Sequence, residues 1–320
     1  MTLVQLQYVL AVAKYQNFTE AARHCNVTQP TLSMQIQKLE EELDVMIFNR
    51  RTKPIVLTDI GRRIVEQARV IVDESQRMSD IVEQQKGFVG GEFRLGIIPT
   101  VLPTLLPMFI KTFNKRFPKV YLHVYELTTG EIIDKLSDGS IDAGIAATPL
   151  ENENIRELPL YYEPFFAFIP AEHSLYEKDK IYSHELNIDD ILLLEDGHCF
   201  KDNVINLCNP STQMKNDNFE LECGSFSALI QLAKEGYGMT LLPYLDTLEI
   251  KDSDRKFLKE FHKPVPAREI SLIHHRSQLK IQLVQALKKT IDAIVRGAIA
   301  FSDVQIISPL PNPSKPIINP

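Results

Sequence analysis

The sequence predicts an α/β protein in two parts, a small helical module that continues into one long helix, then a larger domain of alternating strands and helices. Three observations carry this. Residues 1 to about 57 read as short helices closed by a small hairpin, a helical stretch of some 27 residues runs on from Thr58, and strands alternate with helices beyond the glycine-rich GFVGG at 87–91. With 320 residues, 44% of them apolar, the chain is long enough for two domains. No apolar run approaches the roughly 18 residues of a membrane span. The opening MTLVQLQYVLAVAKYQNF shows no basic leader, so a cytoplasmic protein with no membrane partner is expected. In that compartment four scattered cysteines are too few for a disulfide framework and are expected to be reduced. The net charge of −7 gives no global basic field, so any nucleic-acid site must rest on local charge.

Leu3, Leu6, Val9, Leu10 and Ala13 mark the first helix. Thr19 is the expected N-cap of a short second one, with Glu20, Ala21 and Ala22 following it. Thr28 caps a third helix and Pro30 sits in its first turn, where a missing N–H does no harm. Leu32, Ile36, Leu39 and Leu43 form its buried stripe. Between them stand Gln29, Thr31, Ser33, Met34, Gln35 and Lys38, so the helix is apolar beneath and largely hydrogen-bonding above. FNRRTKPIVLT then reads as a short basic hairpin carrying Arg50, Arg51 and Lys53. From Thr58 to about Gln85, Ile64, Ala68, Ile71, Ser75, Met78, Val82 and Gln85 alternate three- and four-residue steps, a coiled-coil seam. Such a helix extends roughly 40 Å, too far to bury itself on one small module, so a partner helix from a second copy is expected.

Beyond the linker, strands are expected at EFRLGIIP, VYLHVYEL, IDAGIAA, FFAFIP, DILLLE, FELECGS and ISLIHH. Helices are expected from Thr100 to Phe117, from Thr129 to Ser137, at SALIQLAKEG and at IQLVQALKKTIDAIV. That alternation argues mainly parallel sheets. The final SPLPNPSKPIINP, with five prolines in thirteen residues, is expected to be disordered. The boundaries read as 1–58, 59–91, 92–300 and a tail at 301–320.

The segment GHCFKDNVINLC holds two of the four cysteines, nine positions apart. Three readings are open: inert buried thiols, part of a metal site, or a reactive pair. Cys25 and Cys223 read as inert. His198, Cys199 and Cys208 lack the close ligand pairs and fourth ligand of a structural zinc site, so no metal and no cofactor are expected. Phe200, Val204, Leu207 and Cys208 fall at i, i+4, i+7 and i+8, which reads as helix with Cys208 on its buried side. Nine residues of helix separate its ends by roughly 13 Å, whereas a disulfide needs Cα atoms within about 7 Å. The two thiols can join only if that helix melts.

FTEAARHCNVTQPTLSMQIQKLEEELDVMIFNRRTKPIVLTDIGR resembles the N-terminal module of LysR-type transcriptional regulators, with TQPTLS and LTDIG as landmarks. GSIDAGIAA and GYGMTLLP are similar to the strand ends of that family's effector domain. The resemblance implies a winged helix-turn-helix, a long linker helix and a periplasmic-binding-protein-like effector domain of two α/β subdomains. It implies promoter DNA as a partner, with Gln29, Pro30, Thr31, Ser33, Met34, Gln35 and Lys38 facing the major groove and Arg50, Arg51 and Lys53 on phosphates or the minor groove. Over residues 1 to 63, 8 Lys and Arg stand against 6 Asp and Glu, so the affinity of each domain is expected to be modest and raised by linking several domains. Met34 stands where relatives often carry a basic or small residue.

GHCFKDNVINLC, GIIPT and ELTTG look like the redox segments of the hydrogen-peroxide-sensing members of that family. This implies that Cys199 is the peroxidatic thiol and Cys208 the resolving one. It implies that Thr100, Thr129, His198 and Asp202 hold peroxide, and that Lys201 stands where arginine is usual. Thr100 and Thr129 also read as plain helix N-caps. A low pKa is expected for Cys199, from Lys201, His198 or a helix N-terminus. The implied protein is a homotetrameric regulator of antioxidant genes, an activator working with RNA polymerase, re-reduced by a glutaredoxin or thioredoxin, and not an enzyme. The alternative in the same family is a regulator answering a small organic effector, its cysteines incidental.

Overall fold

The computed structural model describes residues 1–50, 52–85, 90–208, 223–278, 280–299 and 303–310, and the backbone alone for 73, 76–85 and 298. The chain divides into two compact units, Met1–Phe88 and Val89–Pro320.

The first unit packs α1 (Leu3–Tyr15), α2 (Phe18–His24) and α3 (Gln29–Leu43) around Leu6, Val9, Val12, Ala22, Leu32, Ile36 and Leu39. Thr28 caps α3, its Oγ1 accepting from Thr31 N, and Pro30 lies in the first turn. The cap of α2 is Asn17 rather than Thr19: its Oδ1 accepts from Thr19 N at 2.8 Å and Glu20 N at 3.2 Å. Asparagine followed three residues later by Glu20 is the signal the Thr19 reading overlooked. Leu3 and Leu43, expected in the apolar stripes, lie at helix ends and are exposed. β1 (Phe48–Asn49) and β2 (Val56–Leu57) pair antiparallel as the hairpin. α4 (Asp59–Gln85) follows as one helix. A Cβ on Gly61 would stand 2.1 Å from Ile47 O, so only glycine lets α4 start against the end of this module. The seam expected to meet a partner is used otherwise in its first half. Ala68 is buried and Ile64 and Ile71 half-buried against this unit's own core, because α4 lies along α1.

In the second unit, β3 (Gly91–Ile97), α5 (Leu102–Arg116), β4 (Val120–Glu126), α6 (Thr129–Ser137) and β5 (Ala143–Thr148) follow the expected alternation. Gly91, assigned above to the linker, opens β3, its N–H donating to Lys119 O. After these come β6 (Ile155–Phe168), β7 (Lys180–Ile181), α7 (Cys199–Leu207), α8 (Phe226–Lys234) and β8 (Thr240–Pro243). α9 (Tyr244–Thr247), β9 (Leu258–Phe261), β10 (Val265–His275), α10 (Ile281–Ala298) and β11 (Val304–Ile306) complete the described chain. DILLLE is no strand: it is a 3-10 turn at Ile188–Asp190 and one bridge from Ile191 to Met239. FELECGS falls mostly outside the described residues, and Cys223 to Ser225 are not in a strand.

The sheet runs β4-β3-β5-β10-β6-β9-β7 and is mixed, not mainly parallel. β3 lies parallel to β4 and β5, but β10 is antiparallel to both β5 and β6. An alternating pattern looks the same whichever way a strand runs, and only the insertion of β10 between β5 and β6 sets the direction. β6 and β10 are long enough to serve two cores. Ile155 and Tyr161 of β6 join the core of β3, β5 and α10, while Phe165 and Ala167 join that of α7, α8 and β8. Residues 303–310, expected to be disordered with the rest of the tail, are ordered. β11 pairs parallel with β10, and Ile307 is buried because an apolar side chain there completes the second core. Among the described residues no helix is long and apolar enough to cross a membrane.

Candidate functional site

Where β6 and β10 pass from one core to the other, Glu163 and Arg268 stand opposite each other in register. Both are almost fully buried. Glu163 Oε2 accepts from Arg268 Nε at 2.9 Å and Nη2 at 2.8 Å, and its Oε1 accepts from Leu245 N at 3.1 Å. Arg268 also donates to Thr100 Oγ1 at 2.9 Å and to Thr100 O at 3.0 Å, and its guanidinium lies 5.1 Å from the centroid of Phe200. Burial works against the Arg268 charge, yet Glu163, Cys199 and Tyr161 hold its pKa above the usual arginine value. Neither partner was singled out from sequence. The available signal was charge inside two otherwise apolar strands, Glu163 in YYEPFFAF and Arg268 with Glu269 in VPAREISL, since a buried charge is stable only when paired.

Cys199 opens α7 beside this pair and is buried in the first core. Thr129 at the start of α6, the main chain of Ala147 on β5, and Arg268 surround its thiol. Thr129 and Ala147 lie at or just after the carboxyl ends of the parallel-running β4 and β5, where open α/β sheets bind ligands, and Arg268 reaches in from the antiparallel β10. Thr100 and Thr129 are not N-caps. The α5 cap is Val101, and the α6 cap is Thr128, in a capping box with Glu131. Thr129 is therefore spare: its Oγ1 is buried with no well-formed hydrogen bond among the described residues and lies close enough to Cys199 to favour the thiolate.

The expected low pKa of Cys199 is not found. Burial pushes the thiol up, and Arg268, Thr129 and Ala147 only partly oppose it. The expected local cation is engaged elsewhere, because Lys201 Nζ bonds Asp196 Oδ1 at 2.5 Å. His198 precedes α7, buried, its Nε2 3.5 Å from Glu195 Oε1 and its Nδ1 without a hydrogen-bond partner among the described residues. A Cβ on Gly224 would lie 2.8 Å from Glu195 Oε1 and 3.2 Å from His198 Nε2, so glycine there leaves the room this pair occupies. Asp202, in the first turn of α7, has its pKa raised by burial, with Lys201 opposing. Cys208 ends the same helix but is buried in the second core, with Phe200 and Val204. All four cysteines are free thiols.

In the first unit, Gln29, Pro30, Thr31, Met34 and Lys38 are exposed on α3, and Lys53 is exposed in the hairpin. Ser33 and Gln35 are half-buried, and Gln5 Nε2 donates to Gln35 at 3.4 Å. Arg50 is exposed, but its guanidinium is held by the protein itself. Its Nη2 donates to Glu40 Oε2 at 2.7 Å, and Glu40 Oε1 accepts from Ile47 N at 2.7 Å and Phe48 N at 3.2 Å. Arg51 lies outside the described residues. Buried Glu40 thus ties α3 to the hairpin, and replacing it with Gln turns a donor toward donors. A loss of about 1–3 kcal/mol is expected, read as a lower unfolding midpoint of this unit; an unchanged midpoint would refute the tie.

A helix-turn-helix with a wing, followed by an α/β unit with a buried polar site between two cores, defines a DNA-binding regulator of transcription with its own sensor domain. Residues 3–62 match the description "Bacterial regulatory helix-turn-helix protein, lysR family", and residues 86–294 match "LysR substrate binding domain". The chain belongs to the LysR family. Among its relatives is the hydrogen peroxide-inducible genes activator of Pectobacterium carotovorum subsp. carotovorum, 34% identical over 86% of this chain and 90% of that protein. A full-length OxyR variant from Pseudomonas aeruginosa is similar in structure, with TM-score 0.75 and 31% identity over 91% of this chain and 94% of that one. A hydrogen-peroxide-bound OxyR mutant from Corynebacterium glutamicum superposes with TM-score 0.56 and 25% identity, over 95% and 98% of the two chains.

Proposed function

We propose that this chain is a hydrogen-peroxide-sensing transcriptional regulator, in which Cys199 is oxidised and then joined to Cys208. The placement of the two thiols carries the reading: they end one helix and are buried in two different cores, Cys199 beside a buried arginine. Thr100, Thr129, His198 and Asp202 would hold peroxide there, since hydroxyls both donate and accept, as peroxide does. Sulfur attacks one peroxide oxygen and the O–O bond breaks. The thiol proton leaves with the departing oxygen as water, and Cys199 becomes a sulfenic acid. Arg268 supplies the charge that stabilises the thiolate in passing, while burial keeps the resting thiol protonated and protected. The Cys208 sulfur then attacks the sulfenic sulfur and a second water is released. Cα atoms about 13 Å apart along α7 must come within about 7 Å, so the helix unwinds and Phe200 and Val204 lose their packing. The covalent bond holds a second arrangement of the domain, which alters the grip of Gln29, Pro30, Thr31, Ser33, Met34, Gln35, Lys38, Arg50, Arg51 and Lys53 on promoter DNA.

The same reading makes the protein a cytoplasmic homotetramer joined through α4 and the sensor domains. It activates antioxidant genes with RNA polymerase and is re-reduced by a glutaredoxin or thioredoxin. Each thiol reacts once per switching event, so the protein is not an enzyme. The test is one equivalent of peroxide on the purified full chain, with disulfides mapped by mass spectrometry while a bound promoter fragment is footprinted. A 199–208 crosslink and a shifted footprint are expected, both abolished in Cys199→Ser. No crosslink, or a Cys199→Ser protein that still responds to peroxide, would remove the sensor reading and leave a regulator for a small organic effector.

A further inference from the structure

The segment 303–310 is fastened at one side to β10 and at the other to α7. On the β10 side, Val265 N donates to Asp303 O at 3.0 Å and Ile307 N to Ala267 O at 2.8 Å, so the attachment ends one residue before Arg268. On the α7 side the donors are side chains of the helix itself. Asn203 Nδ2 donates to Ile307 O at 2.7 Å, and Asn206 Nδ2 donates to Ser308 O at 2.9 Å and Leu310 O at 2.8 Å. Asn203 is fully buried, and the two asparagines stand three apart, on one face of the helix. Ile307 packs into the core that holds Phe200, Val204 and Cys208. Unwinding α7 therefore breaks three hydrogen bonds to one neighbouring strand of chain and uncovers Ile307.

We propose that residues 303–310 are a strap that sets how readily the sensor crosslinks, with Asn203 and Asn206 as the positioning residues that hold α7 helical and Cys208 away from Cys199 until the strap lets go. This rests on the peroxide reading above. The strap acts on the second step alone, the attack of Cys208 on the Cys199 sulfenic acid, because that step needs α7 to unwind. The first step takes place at the fixed end of the helix and needs no movement of Asn206.

The test is hydrogen exchange by mass spectrometry on the full chain, before and after one equivalent of peroxide, with the 199–208 crosslink measured in the same samples. The strap amides, Ile307 among them, are expected to be protected in the reduced protein and to exchange at least about tenfold faster once the crosslink forms. Cys208→Ser treated with peroxide is expected to keep the protection. In Asn206→Ala, which loses the two hydrogen bonds to the strap at a half-buried position, crosslinking is expected to be about tenfold faster. Trapping of the Cys199 sulfenic acid in the Cys208→Ser background is expected to run at the same rate with and without that change. A crosslink with the strap amides as protected as before would overturn the strap and leave the sensor standing. An Asn206→Ala protein that crosslinks no faster would do the same. No crosslink in the unaltered chain would overturn both.

Discussion

Arg268→Met is expected to destabilise the second unit by about 3–5 kcal/mol and to slow alkylation of Cys199 at least about tenfold, because one side chain serves both the fold and the thiol. Its guanidinium neutralises Glu163 and fixes Thr100 through two further bonds, and among the neighbours of Cys199 it is the strongest influence toward the thiolate. Methionine fills much of the volume but leaves a buried carboxylate with only Leu245 N, among the described residues, as a hydrogen-bond donor. Arg268→Lys separates the two roles. It keeps a charge near the thiol but cannot span Glu163 and Thr100 with one planar fork, so most of the stability loss should persist while Cys199 reactivity recovers in part. Unfolding midpoints and the rate of iodoacetamide labelling against pH read the two effects. Equal reactivity in Arg268, Lys and Met proteins would show that the arginine does not act on the thiol.

How much of this was legible in the sequence follows from the range over which each interaction acts. α3 was readable because Thr28, Pro30 and the spacing of Leu32, Ile36 and Leu39 are local, and caps and stripes need only neighbours. α7 was readable from Phe200, Val204 and Cys208 for the same reason. The caps failed by a residue or two where two polar residues competed. Thr128 wins over Thr129 because only Thr128 has a glutamate three positions on to close a capping box, and Asn17 wins over Thr19 because its Oδ1 takes the N–H groups of both Thr19 and Glu20. Displacing Thr129 from the cap is what leaves its hydroxyl for the thiol. The charged centre of the site was not readable, since Arg268 reaches Thr100 across 168 positions of sequence. Only the pairing of β6 with β10 brings Glu163 opposite it. The low pKa assigned to Cys199 failed through the same gap. Lys201 and His198 are the near neighbours in sequence, but burial and Arg268 are what the thiol meets in space.

Asp246→Asn is expected to leave stability almost unchanged below pH 4 and to raise it by about 2–4 kcal/mol at pH 8. Burial lifts the Asp246 pKa from 3.8 to about 7, with Glu163 adding to the lift and Arg268 opposing it. Among the described residues its Oδ2, on α9, is buried without a hydrogen-bond partner, and so is the hydroxyl of Tyr161, which with Glu163 faces this cluster from β6. The sign follows from where the proton binds more tightly. Between pH 4 and about 7 the folded chain keeps a proton on Asp246 that the unfolded chain has lost, so stability falls as pH rises through that window and levels off above it. Asparagine matches the protonated acid in shape and carries no charge, so it removes the slope rather than the packing. Urea unfolding of both proteins at pH 4, 6 and 8 measures the difference, and a gap that stays the same at all three values would refute the assignment. Glu163 is committed to Arg268 by two hydrogen bonds, so a second ionised carboxylate beside them gains little from the one cation and loses its hydration. The same balance reaches Cys199. An ionised Asp246 draws on the Arg268 charge that favours the thiolate, so above pH 7 the Asp246→Asn protein should label at Cys199 faster than the unaltered chain, and at pH 5 equally fast.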